Sequence, residues 1–446
     1  MIACSIIQKS QLEGAHRLDA EYYQPEYLDA MKKLSKASTI GALTSDVRYG
    51  LYLEPDYLER GVDFIRAMNL FDYDIDGEIL KIDGAKVPPE YKLEAGDCLI
   101  TRSGANTGAT SVVYPKLRGA TFGSYTIRVR FNKVNPFFAG LFLNTKYGIF
   151  QTLRLQTGMA QPNLNIPNIK EIKIPIFSEN EQKKIEQICL EIHNQKEDAG
   201  KFYHQAEQLL LQELGLENFE TENEPYTVVN FSDVKSAERM DAEFYQPLYN
   251  NLIKKIREKA VKMLEDCIKD YSTGFPFKSE NYQENGIPLI RINNIGKGVL
   301  DLSDTAYITE KDASLSKKDL ARPGDIVLSM SGSIGLTSLI PPDIQKCSIN
   351  QRILHFKPKD IDPDYLVLLL NSIIGKDQLA RIGTGGVQTN ISYKDIKNLL
   401  IPILPAATQK KITDLVRASH AARKKAKELL AEAKRKVEEM MEKGKS

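Results

Sequence analysis

The chain has 446 residues, 42% of them hydrophobic, and carries 60 basic against 59 acidic side chains for a net charge of +1. That balance excludes a non-specific nucleic-acid binder coated in positive charge, although a specific reader of bases needs only a local basic patch. The lack of an apolar run near about 20 residues excludes a membrane-spanning helix, and the opening MIACSIIQKS is too short and too polar for a secretory signal, so a cytoplasmic protein is expected.

In chain order, the first distinctive stretch is RLDAEYYQP at 17–25, which returns as RMDAEFYQP at 239–247. Each copy leads into an amphipathic run that suits a short helix begun by Pro25 or Pro247, and its two aromatics read as a buried packing corner. From 39 to 178, and again from 262 to 404, short β-type runs alternate with Gly, Pro, Asn and Asp turns, the pattern of a mixed α/β globule. Within them VDFIRAMNL (62–70) matches IPLIRINNI (287–295), which sets Arg66 and Asn69 opposite Arg291 and Asn294. GDCLITRSGANTG (96–108) matches GDIVLSMSGSIG (324–335), a strand that breaks at a Ser-Gly turn into a loop able to approach a ligand closely. Neither loop has the spacer and Lys-Ser/Thr of a P-loop, so ATP binding is not expected.

Asn135-Pro-Phe-Phe138 looks like the Asn-Pro-Pro-aromatic signature of amino-methyltransferases, but the second copy has Asp362-Pro-Asp-Tyr365, and both lead into helical runs. Asn135 and Asp362 are therefore expected as helix caps. The longest match joins TGMAQPNLNIPNIKEIKIPIFSENEQKKI (157–185) to TGGVQTNISYKDIKNLLIPILPAATQKKI (384–412). Gln161 pairs with Gln388, Pro175 with Pro402 and Gln182 with Gln409, at a constant offset of 227 residues. A period this long means two whole domains related by duplication.

Ser178 and Glu181 fit a capping box that opens a long helix. Its Ile185, Ile188, Ile192, Gln195, Ala199, Phe202, Ala206 and Leu209 fall on the alternating steps of a coiled-coil seam. Ile412, Leu415, Ser419, Ala422, Ala426, Leu429 and Ala433 repeat that seam in matched phase, which calls for antiparallel packing of the two helices. Some 35 residues of helix span on the order of 50 Å. The KRKVEEMMEKGKS end reads as a solvated helical face. Cys4, Cys98, Cys189, Cys267 and Cys347 are scattered without C-x-x-C spacing, and the histidines lack H-E-x-x-H spacing, so reduced, mostly buried thiols and no metal site are expected.

The twice-used T-G-x-x-Q-x-N block, the I-P-I segment before a Gln-Lys-Lys-Ile helix start, the S/T-x-S-G strand-loop and the duplication itself resemble the specificity (S) subunit of type I restriction-modification systems, over nearly the whole chain. The resemblance implies a non-catalytic subunit with two target-recognition domains, each reading one half of a split double-stranded DNA site. As partners it implies two adenine-N6 DNA methyltransferase subunits and two ATP-dependent restriction subunits. S-adenosylmethionine, ATP and Mg belong to those partners, with no cofactor on this chain. The expected fold class is mixed α/β (α+β), two duplicated target-recognition domains separated by two long antiparallel helices in a pseudo-twofold arrangement. Its divisions are an N-terminal segment 1–38, a first recognition domain 39–178, a central long helix 179–216, a linker and repeat start 217–261, a second recognition domain 262–404 and a C-terminal long helix 405–446. The alternatives are an S-like subunit of another multisubunit restriction or defence system and a scaffold repeat protein without DNA affinity.

On that reading Arg66, Asn69, Arg102, Ser103 and Asn106 of the first domain, with Arg291, Asn294, Ser331 and Ser333 of the second, line the DNA-facing surface. Arg and Asn can make paired hydrogen bonds to guanine and adenine edges, and small hydroxyl and glycine loops fit against phosphate. Arg66 and Arg291, shared by both copies, equally admit a structural or phosphate role. Gln161, Asn163, Gln388 and Asn390 sit in matching loops bent at Gly158 and Gly385, where their amides bond the loop itself, the favoured reading, or reach out to DNA or a methyltransferase. If helix length sets the gap between half-sites, four residues inserted after Lys201 add ~6 Å and about 1.1 turns. Selection from duplexes of variable spacing should then favour an unread gap longer by about one or two base pairs, with both half-site sequences unchanged.

Overall fold

The computed structural model describes residues 5–10, 12, 17–53, 56–71, 73–158, 161–219, 227–383 and 390–443. The chain divides into two compact units, residues 1–197 with 423–446, and residues 198–422. In the first unit β1 (Thr44–Tyr49), β2 (Val62–Ile65), β3 (Leu80–Ile82), β4 (Cys98–Thr101), β5 (Thr110–Val112), β6 (Thr121–Phe122) and β7 (Thr126–Phe131) precede α1 (Pro136–Leu143), α2 (Lys146–Leu155) and the first part of α3 (Glu179–Leu214). An antiparallel sheet runs β1-β7-β4-β5, and a smaller one runs β3-β2-β6 with β2 and β6 parallel. Strand alternation serves two cores at once. Cys98 and Ile100 of β4 join the core that also takes Phe138, Leu141 and Phe142 of α1, while Leu99 joins Ile65 and Phe122 of the smaller sheet.

The second unit repeats the plan with β8 (Ile268–Ser272), β9 (Ile287–Ile290), β10 (Ala306–Ile308), β11 (Leu320–Ala321), β12 (Ile326–Ser329), β13 (Thr337–Leu339), β14 (Cys347–Ile349), β15 (Ile353–Pro358), α4 (Pro363–Asn371), α5 (Ile373–Ile382) and the first part of α6 (Ala406–Glu442). Its sheet β8-β15-β12-β13 has the order of β1-β7-β4-β5. The smaller sheet, β10-β9-β14-β11, keeps the parallel central pair and gains one edge strand. Ile326 and Leu328 face one core and Val327 the other, as in β4. The duplicated mixed α/β architecture is thus present down to strand order.

The expected helix starts are present. Asn135 Oδ1 accepts from the backbone N–H groups of Phe137 and Phe138, Asp362 accepts from Asp364, and Ser178 and Glu181 bond each other reciprocally. In the nonapeptide, Tyr23 and Tyr245 are buried and donate their hydroxyls to the carbonyls of Arg17 and Arg239. The other aromatic is clasped by two guanidinium groups. Tyr22 lies between Arg17 at 4.8 Å and Arg154 at 3.8 Å, and Phe244 between Arg239 at 4.8 Å and Arg381 at 4.4 Å. Cys98, Cys189, Cys267 and Cys347 are buried free thiols, and burial pushes those of Cys189 and Cys347 up to about 12. Cys4 lies outside the described residues.

Along the long helices the matched phase holds, and Ile185, Ile192, Ala199, Ala206, Ile412, Ser419, Ala422, Ala426 and Ala433 are buried as expected, but alternate positions of the seam are displaced. The buried positions include Ile185, Cys189, Ile192, Ala199, Tyr203, Ala206, Leu210 and Leu214 in α3, and Ile412, Val416, Ser419, Ala422, Ala426, Leu430, Ala433, Val437 and Met441 in α6. Ile188, Phe202, Leu209, Leu415 and Leu429, expected at the centre, are only partly buried. Each helix packs on its domain as well as on its fellow, and this moves the alternate positions one residue on, to Cys189, Tyr203, Leu210, Val416 and Leu430. Tyr114, for instance, donates its hydroxyl to the carbonyl of Cys189. The sense is antiparallel. In the first unit 181–188 and 436–443 flank one groove, and in the second Ser419 Oγ donates to Ala199 O at 2.7 Å. The end of α6 is a solvated face on one side only, since Val437 and Met441 are buried and Glu438 and Glu442 bond the backbone N–H and side chain of Lys146. The displaced seam predicts that Tyr203→Ala costs about 3–5 kcal/mol and the neighbouring Phe202→Ala much less. Denaturant midpoints of the two variants check this.

Candidate nucleic-acid interface

At the end of β4 the chain turns through Arg102 and Ser103 into a loop with Gly104 and Gly108 at φ +108° and +95°. Two backbone bonds clamp the turn, Arg102 N to Tyr125 O at 2.9 Å and Leu164 N to Arg102 O at 2.8 Å. The second unit has the same clamp after β12, Met330 N to Arg352 O at 3.0 Å and Ile391 N to Met330 O at 3.1 Å. Ser103 and Ser331 then form single bridges with Asn163 and Asn390 of the T-G-x-x-Q-x-N block. The Ser-Gly turn and the repeated block are therefore two halves of one structure.

This placement separates the expected site residues. Ser103 and Ser331 are buried, and Ser103 Oγ accepts from Gln161 Nε2 at 3.2 Å, so these hydroxyls face the protein. Asn106 and Ser333 are exposed in the loops. Gly158, at φ +89°, makes the expected bend, and a Cβ there would meet Gln161 O at 2.6 Å. Asn163 holds the turn through its backbone, bonded in both directions to Thr157. Asn390 Oδ1 accepts from Arg352. Gln388 and Gly385 lie outside the described residues.

Asn69 and Asn294 correct the expectation of a DNA-facing amide. Each is about 2% exposed or less. Oδ1 of Asn69 accepts from Arg66 N, and its Nδ2 donates to Asp76 O and Glu78 O at 3.1 and 3.0 Å. Asn294 does the same with Arg291 N, Asp301 O and Asp304 O. Both amides close a turn and leave no N–H for adenine. The arginines beside them are partly engaged as well, Arg66 with Glu78 O at 3.1 Å and Arg291 with the backbone and carboxylate of Asp304.

Two exposed residues escaped the reading of the sequence, Tyr125 and Arg352. They occupy equivalent positions before β7 and β15. The signal was available, because extending the 227-residue offset through SYTIR and QRILH aligns them. In the second unit Arg352, Gln351, Ser333, Arg291 and Asn293 line an open cleft of about 660 Å³. A different row, Ser272 Oγ to His355 at 3.3 Å and His355 to Asp325 at 2.9 Å, has the residue types of a nucleophile triad. All three side chains are buried in the sheet, where the first unit places Arg128 with Asp46 and Arg130 with Asp97, so the row is a structural cluster.

The model of the type I restriction modification DNA specificity domain matches residues 56–197 and 257–432, well over half of the chain. The chain belongs to this family. A relative, the MjaVIII specificity subunit of Methanocaldococcus jannaschii, is 25% identical over 409 residues, covering 89% of this chain and 83% of that one. The EcoAI specificity subunit of Escherichia coli is 29% identical over 151 residues, 32% of this chain and 26% of its own length. Among solved structures, a type I S subunit from M. genitalium aligns with 91% of this chain and 94% of its own at 15% identity, with a TM-score of 0.41.

The chain is accordingly a DNA-recognition subunit of a type I restriction-modification complex, non-catalytic, with DNA and the other subunits of that complex as partners. No helix among the described residues is long and apolar enough to cross a membrane. Within this specificity subunit, Asn69→Ala or Asn294→Ala should each cost about 1–3 kcal/mol, because removing the amide strands buried backbone groups. Asn106→Ala should leave stability unchanged. Thermal melts of the three variants test the assignment.

Proposed function

We propose that each unit reads one half of a bipartite duplex site, that the two half-sites differ in sequence, and that the chain positions two adenine-N6 methyltransferase subunits and two ATP-dependent restriction subunits around them. S-adenosylmethionine, ATP and Mg then reside in those partners, this chain binds none of them, and the complex works in the cytoplasm where the DNA is. The recognition domains are the globules at 39–178 and 262–404, and the half-buried Arg102 with the exposed Asn106 and Ser333, in the loops after β4 and β12, face the nucleic acid. One observation carries the reading: the two units share strand order, clamp and buried amides, yet differ in the side chains that the clamp presents, Arg102 with Tyr125 in one and Met330 with Arg352 in the other. A common scaffold with exchanged lining suits one task performed on two different sequences.

The test is selection of duplexes from a random library by the chain assembled with its methyltransferase subunit, with the mass of the assembly measured in parallel. Two short defined sequences separated by a fixed unread gap, two methyltransferase subunits per chain and affinity that falls steeply with salt are expected. A single contiguous sequence, or no enrichment, would reject the proposal.

A further inference from the structure

We propose that Arg102 and Arg352 are the base-reading cations of the two domains, each directed at a guanine and delivered from opposite ends of the same backbone hydrogen bond. The inference rests on the DNA-reading function proposed above. In the first unit the donor of that bond is Arg102 and the acceptor is the carbonyl of Tyr125; in the second the donor is Met330 and the acceptor is the carbonyl of Arg352. Tyr125 is 62% exposed, Arg352 is exposed, and Met330 is 7% exposed. Each unit therefore presents one cation at this clamp, from the strand end in one case and from the facing turn in the other.

Like Arg66, whose side chain bonds the carbonyl of Glu78, these two guanidinium groups are held without a carboxylate. Arg128, Arg130 and Arg291 each have a carboxylate, from Asp46, Asp97 and Asp304. Among the described residues no carboxylate pairs with Arg102 or Arg352. Arg102 lies over the Tyr49 ring at 4.6 Å, with its Nε buried and lacking a hydrogen-bond partner. Arg352 Nη1 is tethered to Ser331 Oγ at 3.4 Å and Asn390 Oδ1 at 3.3 Å. It sits at φ +64°, a conformation uncommon for a residue with a side chain and found where the surroundings enforce it. Stacking and neutral tethers fix the plane of the fork while leaving charge and further N–H groups available. Such a fork matches O6 and N7 of guanine as well as it matches phosphate, and its delivery from different residues in the two units points to the bases, since the phosphates are the same in any sequence.

The experiment uses the full chain in complex with its methyltransferase subunit and libraries randomised at both half-sites. Arg102→Ala should lose guanine preference at one position of one half-site, and Arg352→Ala at one position of the other, each by roughly ten- to a hundredfold. Arg102→Lys and Arg352→Lys, which keep the charge, should relax the same positions while preserving the salt dependence of binding. These lysine variants also carry the test should an alanine variant melt early. Equal weakening on all sequences with a shallower salt dependence would mean phosphate contacts and overturn the proposal, as would unchanged selection. A wild-type complex that enriches no sequence would overturn the DNA-reading function itself, an outcome visible before any variant is compared.

Discussion

A buried glutamine in each unit fixes the strand from which a long helix departs. The side chain of Gln151 makes two hydrogen bonds to the backbone of one residue, donating to Lys173 O at 3.0 Å and accepting from Lys173 N at 2.8 Å. Gln378 does the same with Leu400, at 3.0 and 2.8 Å. Such an amide acts as an extra peptide rung, tying to α2 or α5 an exit strand that pairs with only one short strand, Ser38–Thr39 in the first unit and Val261–Met263 in the second. Gln182 and Gln409 then bond Phe177 O and Leu404 O at 2.8 Å, and Gln182 also accepts from Asn135 N, so helix, strand and cap meet at one joint. Losing any of these would leave buried backbone groups unpaired. The direction of each long helix depends on that joint.

Around the shared amides, the charged groups of the two sheets diverge. The central strand of the first unit buries Arg128 against Asp46 and the carbonyls of Glu90 and Lys92, and its neighbour Arg130 holds Asp97 with two bonds that raise the guanidinium's affinity for its proton. The second unit replaces these with His355 between Asp325 and Ser272. Replacing a buried ion pair by other well-packed groups of similar volume is often close to neutral for stability. Duplicated scaffolds can therefore exchange them while the amide joints stay the same.

The duplication, the caps and the helix phase were legible in the sequence because each depends on residues a few positions apart or on a constant offset. The role of Asn69 was not. Its partners Asp76 and Glu78 lie seven and nine residues onward across a turn, and an Arg-x-x-Asn pattern reads equally as a base reader or a turn lock until burial is known. Alternate positions of the seam were misplaced by one residue for a similar reason. Periodicity reports the helix's own stripe, but Cys189 is buried partly by the domain beside it, a contact no heptad encodes. Arg352 was passed over because it stands in a turn of ordinary composition and gains meaning only through the long-range clamp to Met330.

The first unit takes Ala426, Leu430, Ala433, Val437 and Met441 into its main core, side by side with Ile185 and Ile192. Those residues are made only after all of residues 198–422 have been joined to the chain. A nascent first unit must wait, with an apolar helix face uncovered, through synthesis of the entire second one. Domains generally fold as units in order of emergence, and contacts of such sequence separation are slow to close. The two units are thus nested in the chain: the second lies wholly between the two pieces of the first, and only the later piece can seal the first unit's core.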